Sequence, residues 1–471
     1  MKVNDKVFES IRPSFIELQK TLSKTYSNVT ILIEKSGGRN YRYGKSGPTV
    51  KDNAFVSSGA VIRLNLNNMP YEFSFNDFSK EYIDTIPNII KKEISSLDSI
   101  NDFDNMNAFA LDETAITFNK STDLEIDPES LSDKYILNTL ESIHNKGMAY
   151  NDAILDCIVI FQYLTIHKMF LSDTKDMQQH ITWTNGVIQP MANRDGVTRY
   201  YMQTFSSLGG AELLDTMNCD MTYSLKCVME LLDATEITPG TYDVICMPDV
   251  TGIIAHEAFG HGVEMDMFVK DRALAKDFIG KQVASSILTM HDNPNIPQCG
   301  SFFFDDEGTI GKDTVIIENG ILKEGMNDLL SATSLNVTPT GNGRRESYER
   351  KVYTRMTNTY FQPGNDNLDD MIASIDNGIL LENAASGMED PKNWGIQCMV
   401  NMGREIKNGK LTGKIYSPVC ISGYVPDLLK SISMISKDMK MSGTGYCGKG
   451  YKEWVKVSEG GASIKAKAVL S

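Results

Sequence analysis

Two of the chain's six histidines, His256 and His261, lie five positions apart in the stretch IIAHEAFGHGVEMD, and Glu257 directly follows the first. Imidazole nitrogens are common zinc ligands, and a carboxylate beside them can accept a proton from water. The pattern therefore predicts a metal-dependent hydrolytic site with Glu257 as the general base. The alternative is a buried helix whose histidines form ordinary hydrogen bonds in the core.

The spacing of these histidines constrains the backbone. At roughly 100° per residue, side chains five positions apart on a straight α-helix point about 140° apart, whereas a spacing of four leaves about 40°. One extra residue in the helical ladder, a π-bulge, would bring His256 and His261 back to one side. Gly260 tolerates such a distortion because it lacks a Cβ. We therefore predict a distorted helix.

Two carboxylates follow the histidine pair. Glu264 and Asp266 lie within five residues of His261, where a carboxylate can accept a hydrogen bond from a ligand imidazole and so orient it. We predict this orienting role for both residues. The alternative is that they solvate the end of the helix.

A third ligand must come from elsewhere, since zinc at a hydrolytic site typically has three protein ligands and an open position for water. Cys447 lies among Gly445, Gly448 and Gly450, and glycines let the backbone bring a thiol close to another group. The neighbouring Lys449 favours the thiolate that a metal requires. Cys447 is a candidate ligand; its alternative role is that of a small buried hydrophobe.

The N-terminal half mixes helical and strand periodicities. Apolar residues at helical spacing predict helices over about Asp5 to Tyr26, with a kink at Pro13, and over residues 79–97 and 128–146. The stretch VTILIEKSGGRNYRYG is expected to form a hairpin with its turn at Gly37 and Gly38. Further strands are expected in GAVIRLNL, YEFSF, DCIVIFQYLTIHKMFLS, QHITWTNGVIQPM and GVTRYYMQTF. Residues 1–238 are therefore predicted to form an α/β layer domain.

The pattern of apolar and turn residues changes near Thr238-Pro239-Gly240, which follow a helix predicted over Tyr223 to Leu232. Beyond it, short apolar runs alternate with turn residues, and Asn319-Gly320 and Asn408-Gly409 are typical of hairpin turns. Residues 239–471 are therefore predicted to form a β-rich domain that carries the distorted metal-binding helix. The fold class predicted for the whole chain is α+β.

Composition narrows the class of protein. The 471 residues include 46 basic and 61 acidic side chains, a net charge of −15, which disfavours a broad surface for nucleic acid or anionic membrane. No apolar stretch reaches the roughly 20 residues needed to span a bilayer, and the N-terminus lacks the apolar core of a signal peptide. The eight cysteines form no CxxC pair. We therefore expect a cytoplasmic protein with mostly reduced thiols.

Four stretches together resemble the TldD/PmbA family, and specifically its TldD-like, metal-bearing branch. They are HEAFGHGVEMD, GNGRRESYERKVYTRMTNTYFQPG, MIASIDNGI and GYCGKG, in the family's order and spacing. The resemblance is dense over Pro239 to Val457 and looser before that. The chain departs from the family pattern at Met265 and Lys456, neither of which is a proposed ligand.

The resemblance implies a zinc metallopeptidase with His256, His261 and Cys447 as ligands and Glu257 as the base. It also implies substrates that are unfolded or leader peptides, and a dimer formed with a second copy or with a PmbA-like chain. Because the family is also catalogued as a modulator of DNA gyrase, the alternative is a non-catalytic binding protein with a structural or empty metal site. Glu257 favours the enzyme, since a structural zinc site needs no general base.

One basic cluster is a candidate for substrate contact. A peptidase of limited sequence selectivity holds its substrate by main-chain groups and places donors near the developing oxyanion. We predict this role for the backbone amides of Gly341, Asn342 and Gly343, and substrate contacts for Arg344 and Arg345. The alternatives are that the two arginines pair with internal acids, or that the stretch is a turn with a surface salt-bridge network.

Overall fold

A computed structural model describes residues 8–66, 69–97, 109–111, 114–443, 445–450 and 453–471. The helices in these ranges are α1 (Arg12–Ser23), α2 (Lys80–Leu97), α3 (Asp133–Met148), α4 (Leu213–Leu231), α5 (Pro248–Ile253), α6 (Asp266–Val269), α7 (Leu329–Leu335), α8 (Leu368–Ala373) and α9 (Val425–Lys430). A π-helix, Ile254–Gly260, directly continues α5. Strands outnumber helices in both halves, and the predicted α+β class is confirmed.

The first sheet contains nine strands within the described ranges. They are β1 (Ser27–Tyr43), β2 (Thr49–Asp52), β3 (Ser58–Leu66), β4 (Met69–Phe75), β5 (Ile116–Ser121), β6 (Ile154–Leu171), β7 (Lys175–Arg194), β8 (Val197–Tyr200) and β9 (Gln203–Leu208). Their order is β4-β3-β1-β6-β7-β5, with β2 beside β1 and with β8 and β9 beside β7. The long antiparallel pair β6 and β7 confirms the prediction of two paired strands.

The second half contains the remaining strands. They are β10 (Gly240–Cys246), β11 (Met290–Asp292), β12 (Thr314–Glu318), β13 (Ile321–Leu322), β14 (Gly343–Arg344), β15 (Tyr353–Thr354), β16 (Asn358–Phe361), β17 (Asn377–Asp390), β18 (Gly395–Lys407), β19 (Lys410–Tyr416), β20 (Val419–Tyr424), β21 (Met434–Ser442), β22 (Cys447–Lys449), β23 (Glu453–Val455) and β24 (Ser458–Leu470). β10 pairs with both β17 and β24, so that β10, β17, β18, β20 and β24 close into a ring.

Local turn chemistry explains two of the hairpins. Asn319 and Gly320, between β12 and β13, both have positive φ, and so do Asn408 and Gly409 between β18 and β19. Two-residue hairpin loops require this backbone conformation, which asparagine and glycine adopt at low cost. The predicted hairpins are confirmed.

The hairpin predicted around Gly37 and Gly38 is wrong. Both residues lie inside β1, which runs without a turn from Ser27 to Tyr43 and pairs with β6 along its length. A Cβ added at Gly38 would lie 2.2 Å from the carbonyl oxygen of Tyr163. Glycine is therefore required there by the close approach of β6 and not by a turn.

Three predicted N-terminal elements need smaller corrections. Helix α1 is shorter than predicted, and Pro13 lies in its first turn, where the missing N–H removes no hydrogen bond and causes no kink; Asp5 to Val7 lie outside the described residues. The helix predicted from Tyr223 begins earlier, at Leu213. GVTRYYMQTF contains two strands, β8 and β9.

Successive side chains of a strand point to opposite faces of the sheet, so the buried residues of the first sheet lie on both of its faces. Ile31 and Ile33 of β1 pack with α1 and α2, whereas Leu32 between them packs with Phe304 of the second half. The first sheet therefore lies between its own helices and the second half of the chain. Within the described ranges, no helix is long and apolar enough to cross a membrane.

Candidate metal centre

The histidines lie on the predicted distorted helix. The backbone N–H of His261 donates to the carbonyl of His256, five residues earlier, which is the hydrogen bond of a π-helix. The two rings are perpendicular, with centroids 5.1 Å apart. A Cβ added at Gly260 would lie 2.4 Å from Met356 Sδ, so this turn is also tightly packed. The π geometry confirms the predicted distortion and brings the two imidazoles together.

Cys447 reaches the same point from β22. Its Sγ lies 3.4 Å from His261 Nε2, and one ligand atom from each of Cys447, His256 and His261 lies within 4.8 Å of the others. Gly445 and Gly450, which flank the cysteine, have positive φ. These turns let the short strand present its thiol to the π-helix.

A buried carboxylate fixes the orientation of His261. Its Nδ1 lies 3.0 Å from Glu264 Oε2, and Lys449 Nζ lies 3.0 Å from the same oxygen. Lys449 also contacts Asp266 Oδ1 at 2.7 Å. Glu264 thereby occupies one ring nitrogen and leaves Nε2 directed towards Cys447. Asp266 contacts Lys449 rather than the imidazole of His261.

Arg355 holds the strand that carries the cysteine. This nearly fully buried side chain donates to the carbonyl oxygens of Cys447, at 2.6 Å, and Glu453, at 3.0 Å. No local pattern distinguishes Arg355 from the other basic residues of its cluster, because its partners are backbone carbonyls about a hundred positions away.

The three candidate ligands perturb one another's protonation. Burial alone would raise the pKa of the Cys447 thiol, but the two imidazoles outweigh it and hold the pKa well below its usual value. Burial alone would lower the pKa of His256, but the thiolate outweighs it and raises the pKa to about 9. The thiol and the imidazoles therefore favour each other's charged forms.

Glu257 lies between this cluster and a cavity. Its Oε2 is 3.9 Å from His261 Nε2, and both Glu257 and His256 line a cavity of about 750 Å³. Its stem packs on β17, where a Cβ added at Gly387 would lie 2.6 Å from Glu257 Cγ. The carboxylate is thus close to the candidate ligands and open to a molecule in the cavity. Glu459, which drew no attention in the sequence, lines the same cavity.

The five residues predicted to contact substrate lie elsewhere. The backbone N–H of Gly343 donates to Asp305 Oδ2, and the side chain of Asn342 donates to Asp292 Oδ2. Arg344 donates to two backbone carbonyls, and Arg345 pairs with Glu72 of the first sheet. All four are buried, and neither they nor Gly341 line the cavity beside the cluster. Arg345 thus pairs with an internal acid, and a substrate role for the five residues stays a prediction.

The residues present fit a zinc ion. Two imidazoles and one thiolate are a donor set that zinc prefers, and three protein ligands leave a position open. The hydrogen bond that His261 Nδ1 donates to the Glu264 carboxylate is of the kind that accompanies metal-bound histidines. The convergence of the three ligand atoms, which no hydrophobic packing would require, supports the same reading.

The chain resembles known metallopeptidases most clearly in its second half. Residues 239–461 match the PmbA/TldA metallopeptidase C-terminal domain. A metalloprotease TldD homologue of Buchnera aphidicola is 41% identical over 220 residues, which are 46% of this chain and 45% of that protein. A zinc metalloprotease TldD homologue of Saccharolobus solfataricus is 36% identical over 244 residues, 51% of this chain and 54% of that protein. The chain thus spans about half the length of these two relatives.

The fold of the whole chain also has a solved counterpart. TldE from Thermococcus kodakarensis superposes with a TM-score of 0.77 at 16% sequence identity, over 97% of this chain and 99% of that one. At this identity the similarity concerns the fold alone. It extends through the first half, which the family match does not cover.

Proposed function

Since the chain belongs to the TldD/PmbA family, we propose that it is a zinc-dependent metallopeptidase that hydrolyses unfolded or leader peptides. The observation that supports this most is the meeting of three zinc-type ligand atoms beside Glu257 at the wall of one cavity. The relatives' names, which include zinc metalloprotease, point to the same activity.

His256, His261 and Cys447 would hold the zinc. A bound zinc ion supplies a Lewis acid that polarises a carbonyl oxygen and lowers the pKa of water. Glu264 and Lys449 keep the Nε2 of His261 directed towards the cluster, and Arg355 holds the backbone of Cys447.

Glu257 moves the proton. One of its carboxylate oxygens accepts a proton from the attacking water, and the resulting carboxylic acid then donates that proton to the amine nitrogen of the departing chain. The position of Glu257 suits this role because its stem is fixed against Gly387 while its head faces the cavity.

The proposed substrate is an extended chain. The pairing of β17 with β10 ends at Leu381, and the residues that follow, Ala384 to Gly387, line the cavity. Main-chain groups at such an edge can pair with an added strand. A folded protein cannot present an extended strand there, so unfolded segments and leader peptides fit best.

The proposed assembly is a dimer with a second copy or with a PmbA-like chain. This proposal rests on the family resemblance and on the shared fold with TldE. Light scattering would give about twice the 52.4 kDa of one chain for a homodimer, and a monomeric mass in the presence of candidate partners would contradict the proposal.

Replacing the general base tests the activity. Glu257→Gln is expected to retain zinc, measured by atomic absorption, and to lose cleavage of an unstructured peptide by at least about 100-fold, the lower range of general-base contributions. Glu236→Gln is the matched control, since Glu236 is exposed and outside the cavity. Undiminished cleavage by Glu257→Gln would exclude the mechanism. Peptide cleavage that chelators do not affect would favour the non-catalytic alternative.

A further inference from the structure

The cavity beside the candidate metal centre has an excess of carboxylates. Its described lining contains four of them and one lysine, Lys440. The carboxylates belong to Asp249, Glu257, Glu382 and Glu459. This excess of negative charge can attract a ligand only if the protein itself leaves some of the carboxylates without a partner.

Two of the four carboxylates are satisfied internally. The backbone N–H of Ala384 donates to Asp249 Oδ2 at 2.9 Å, and further backbone amides reach the same carboxylate. Glu382 accepts from Arg404 Nε at 2.5 Å and from the hydroxyl of Tyr223. These two side chains hold the cavity wall together and are not available to a ligand.

Glu257 and the candidate metal centre also balance each other. Zinc with the Cys447 thiolate would leave one positive charge, and the Glu257 carboxylate would offset it. This leaves Glu459.

Glu459 has no partner of its own within the described ranges. Its carboxyl lies at the cavity wall, no described residue forms a hydrogen bond with it, and burial raises its pKa to about 7. The charges that act on it most strongly are those of the neighbouring site: His256, which lowers its pKa, and then Glu257 and Cys447, which raise it. Keeping a carboxylate enclosed without a partner is unfavourable. A cation brought by a ligand would remove that cost.

We propose that Glu459 selects peptides with a cationic side chain, lysine or arginine, near the bond that is cut. The inference rests on the proposed peptidase function and adds a substrate class to it. A lysine ammonium or an arginine guanidinium on an extended peptide can reach the wall of the cavity that contains Glu257. Its charge-assisted hydrogen bonds to Glu459 are among the stronger ones proteins form.

Glu459 is not a further metal ligand in this geometry. The cluster of ligand atoms found among the described residues consists of His256, His261 and Cys447 only. Glu257, with its Oε2 3.9 Å from His261 Nε2, lies between that cluster and the cavity. Recognition of a cation is therefore the role that fits the position of Glu459.

The test compares peptides that differ at one side chain. Unstructured, otherwise neutral peptides carry a single lysine or its uncharged counterpart norleucine at successive positions. Their affinity is measured by fluorescence anisotropy for the zinc-loaded Glu257→Gln protein, so that binding is read without cleavage. At one or two positions the lysine peptide is expected to bind about tenfold more tightly, as a hydrogen bond between charged groups allows.

The variant Glu459→Gln, made in the same background, should reduce that preference to below about twofold. Glu236→Gln, which removes an exposed carboxylate outside the cavity, should leave it unchanged. Equal binding of lysine and norleucine peptides at every position would overturn the proposal without any variant. A preference that survives Glu459→Gln would overturn it too.

Cleavage by the unsubstituted protein separates this inference from the proposed function. If peptides are cleaved but lysine confers no preference, the inference fails and the peptidase stands. If no peptide is cleaved with zinc present, the peptidase fails, whatever the binding assay gives.

Discussion

Cys447 lies 186 positions after His261, yet its sulfur and that imidazole are in contact. Each of these residues alone has an ordinary structural explanation. Together they form a donor set in which the thiol and the imidazoles favour each other's charged forms. The chemistry of the site therefore belongs to the group of three and to the residues that orient it.

Removing the sulfur should remove the metal. Cys447→Ser is expected to lower zinc affinity by at least about 100-fold, because a serine hydroxyl stays protonated and is a poor zinc ligand. Zinc content after dialysis measures the effect. Cys219→Ser, which changes an exposed thiol, should keep its zinc, and a zinc-replete Cys447→Ser protein would contradict the ligand role.

Zinc affinity should rise with pH. The pKa of His256 is raised to about 9 in the metal-free protein, so at neutral pH zinc must displace a proton from this imidazole. Affinity should increase between pH 6 and pH 9, by up to roughly tenfold per unit for each proton displaced. Competition with a chelator, corrected for the chelator's own protonation, measures it. Constant affinity over this range would show that the imidazoles are already neutral.

At the scale of single elements, the π-helix and β1 both place glycine where the packing is too close for a side chain. Gly260 faces Met356 across the π-turn, and Gly38 faces the backbone of Tyr163 across two strands. In β1 the neighbouring Gly37 has space, since an added Cβ would have its nearest contact at 3.7 Å.

This difference gives a matched pair of substitutions within one strand. Gly38→Ala is expected to lower the free energy of unfolding by about 1–3 kcal/mol, the usual cost of overpacking. Gly37→Ala is expected to change it by less, or to raise it by up to about 1 kcal/mol, since alanine restricts the unfolded chain. Urea unfolding measures both. Equal effects would mean that close approach at Gly38 does not explain the glycine.

At the scale of the whole molecule, the first half supports the candidate metal centre formed by the second. Tyr446, next to the candidate ligand Cys447, stacks on Phe55 of the first half with ring centroids 4.6 Å apart. Lys456 Nζ lies 3.9 Å from the centre of the Tyr446 ring and donates to Asn185 Oδ1 at 2.5 Å. Residues of the first half therefore hold in place the segment that contains Cys447.

Phe55→Ala should weaken zinc binding although Phe55 is remote in sequence from every candidate ligand. We expect a loss of about tenfold, comparable with the effect of residues that orient metal ligands. Phe73→Ala is the control, because Phe73 is a partly buried phenylalanine of β4, in the same half of the chain, that packs with α1 and α2. If both variants bind zinc alike, the stack does not position Cys447.

The sequence by itself was sufficient for features that depend on residues close together in the chain. Residue types and spacing predicted the metal chemistry of the His256 region and the π distortion, and turn residues predicted the hairpins at Asn319 and Asn408. Glycine pairs predicted hairpin turns less reliably. A glycine that a turn requires and a glycine that a closely packed strand requires are identical in sequence. Gly38 is of the second kind.

Only the tertiary structure decided which distant residues meet. It joined Cys447 to the histidines, enclosed Arg344 and Arg345 in internal contacts, and placed Glu459 in the cavity beside Glu257. The physical reason is that periodicity fixes the face a residue occupies within its own element. The neighbour opposite that face depends on how the strands and helices are ordered in space, and no local pattern records that order.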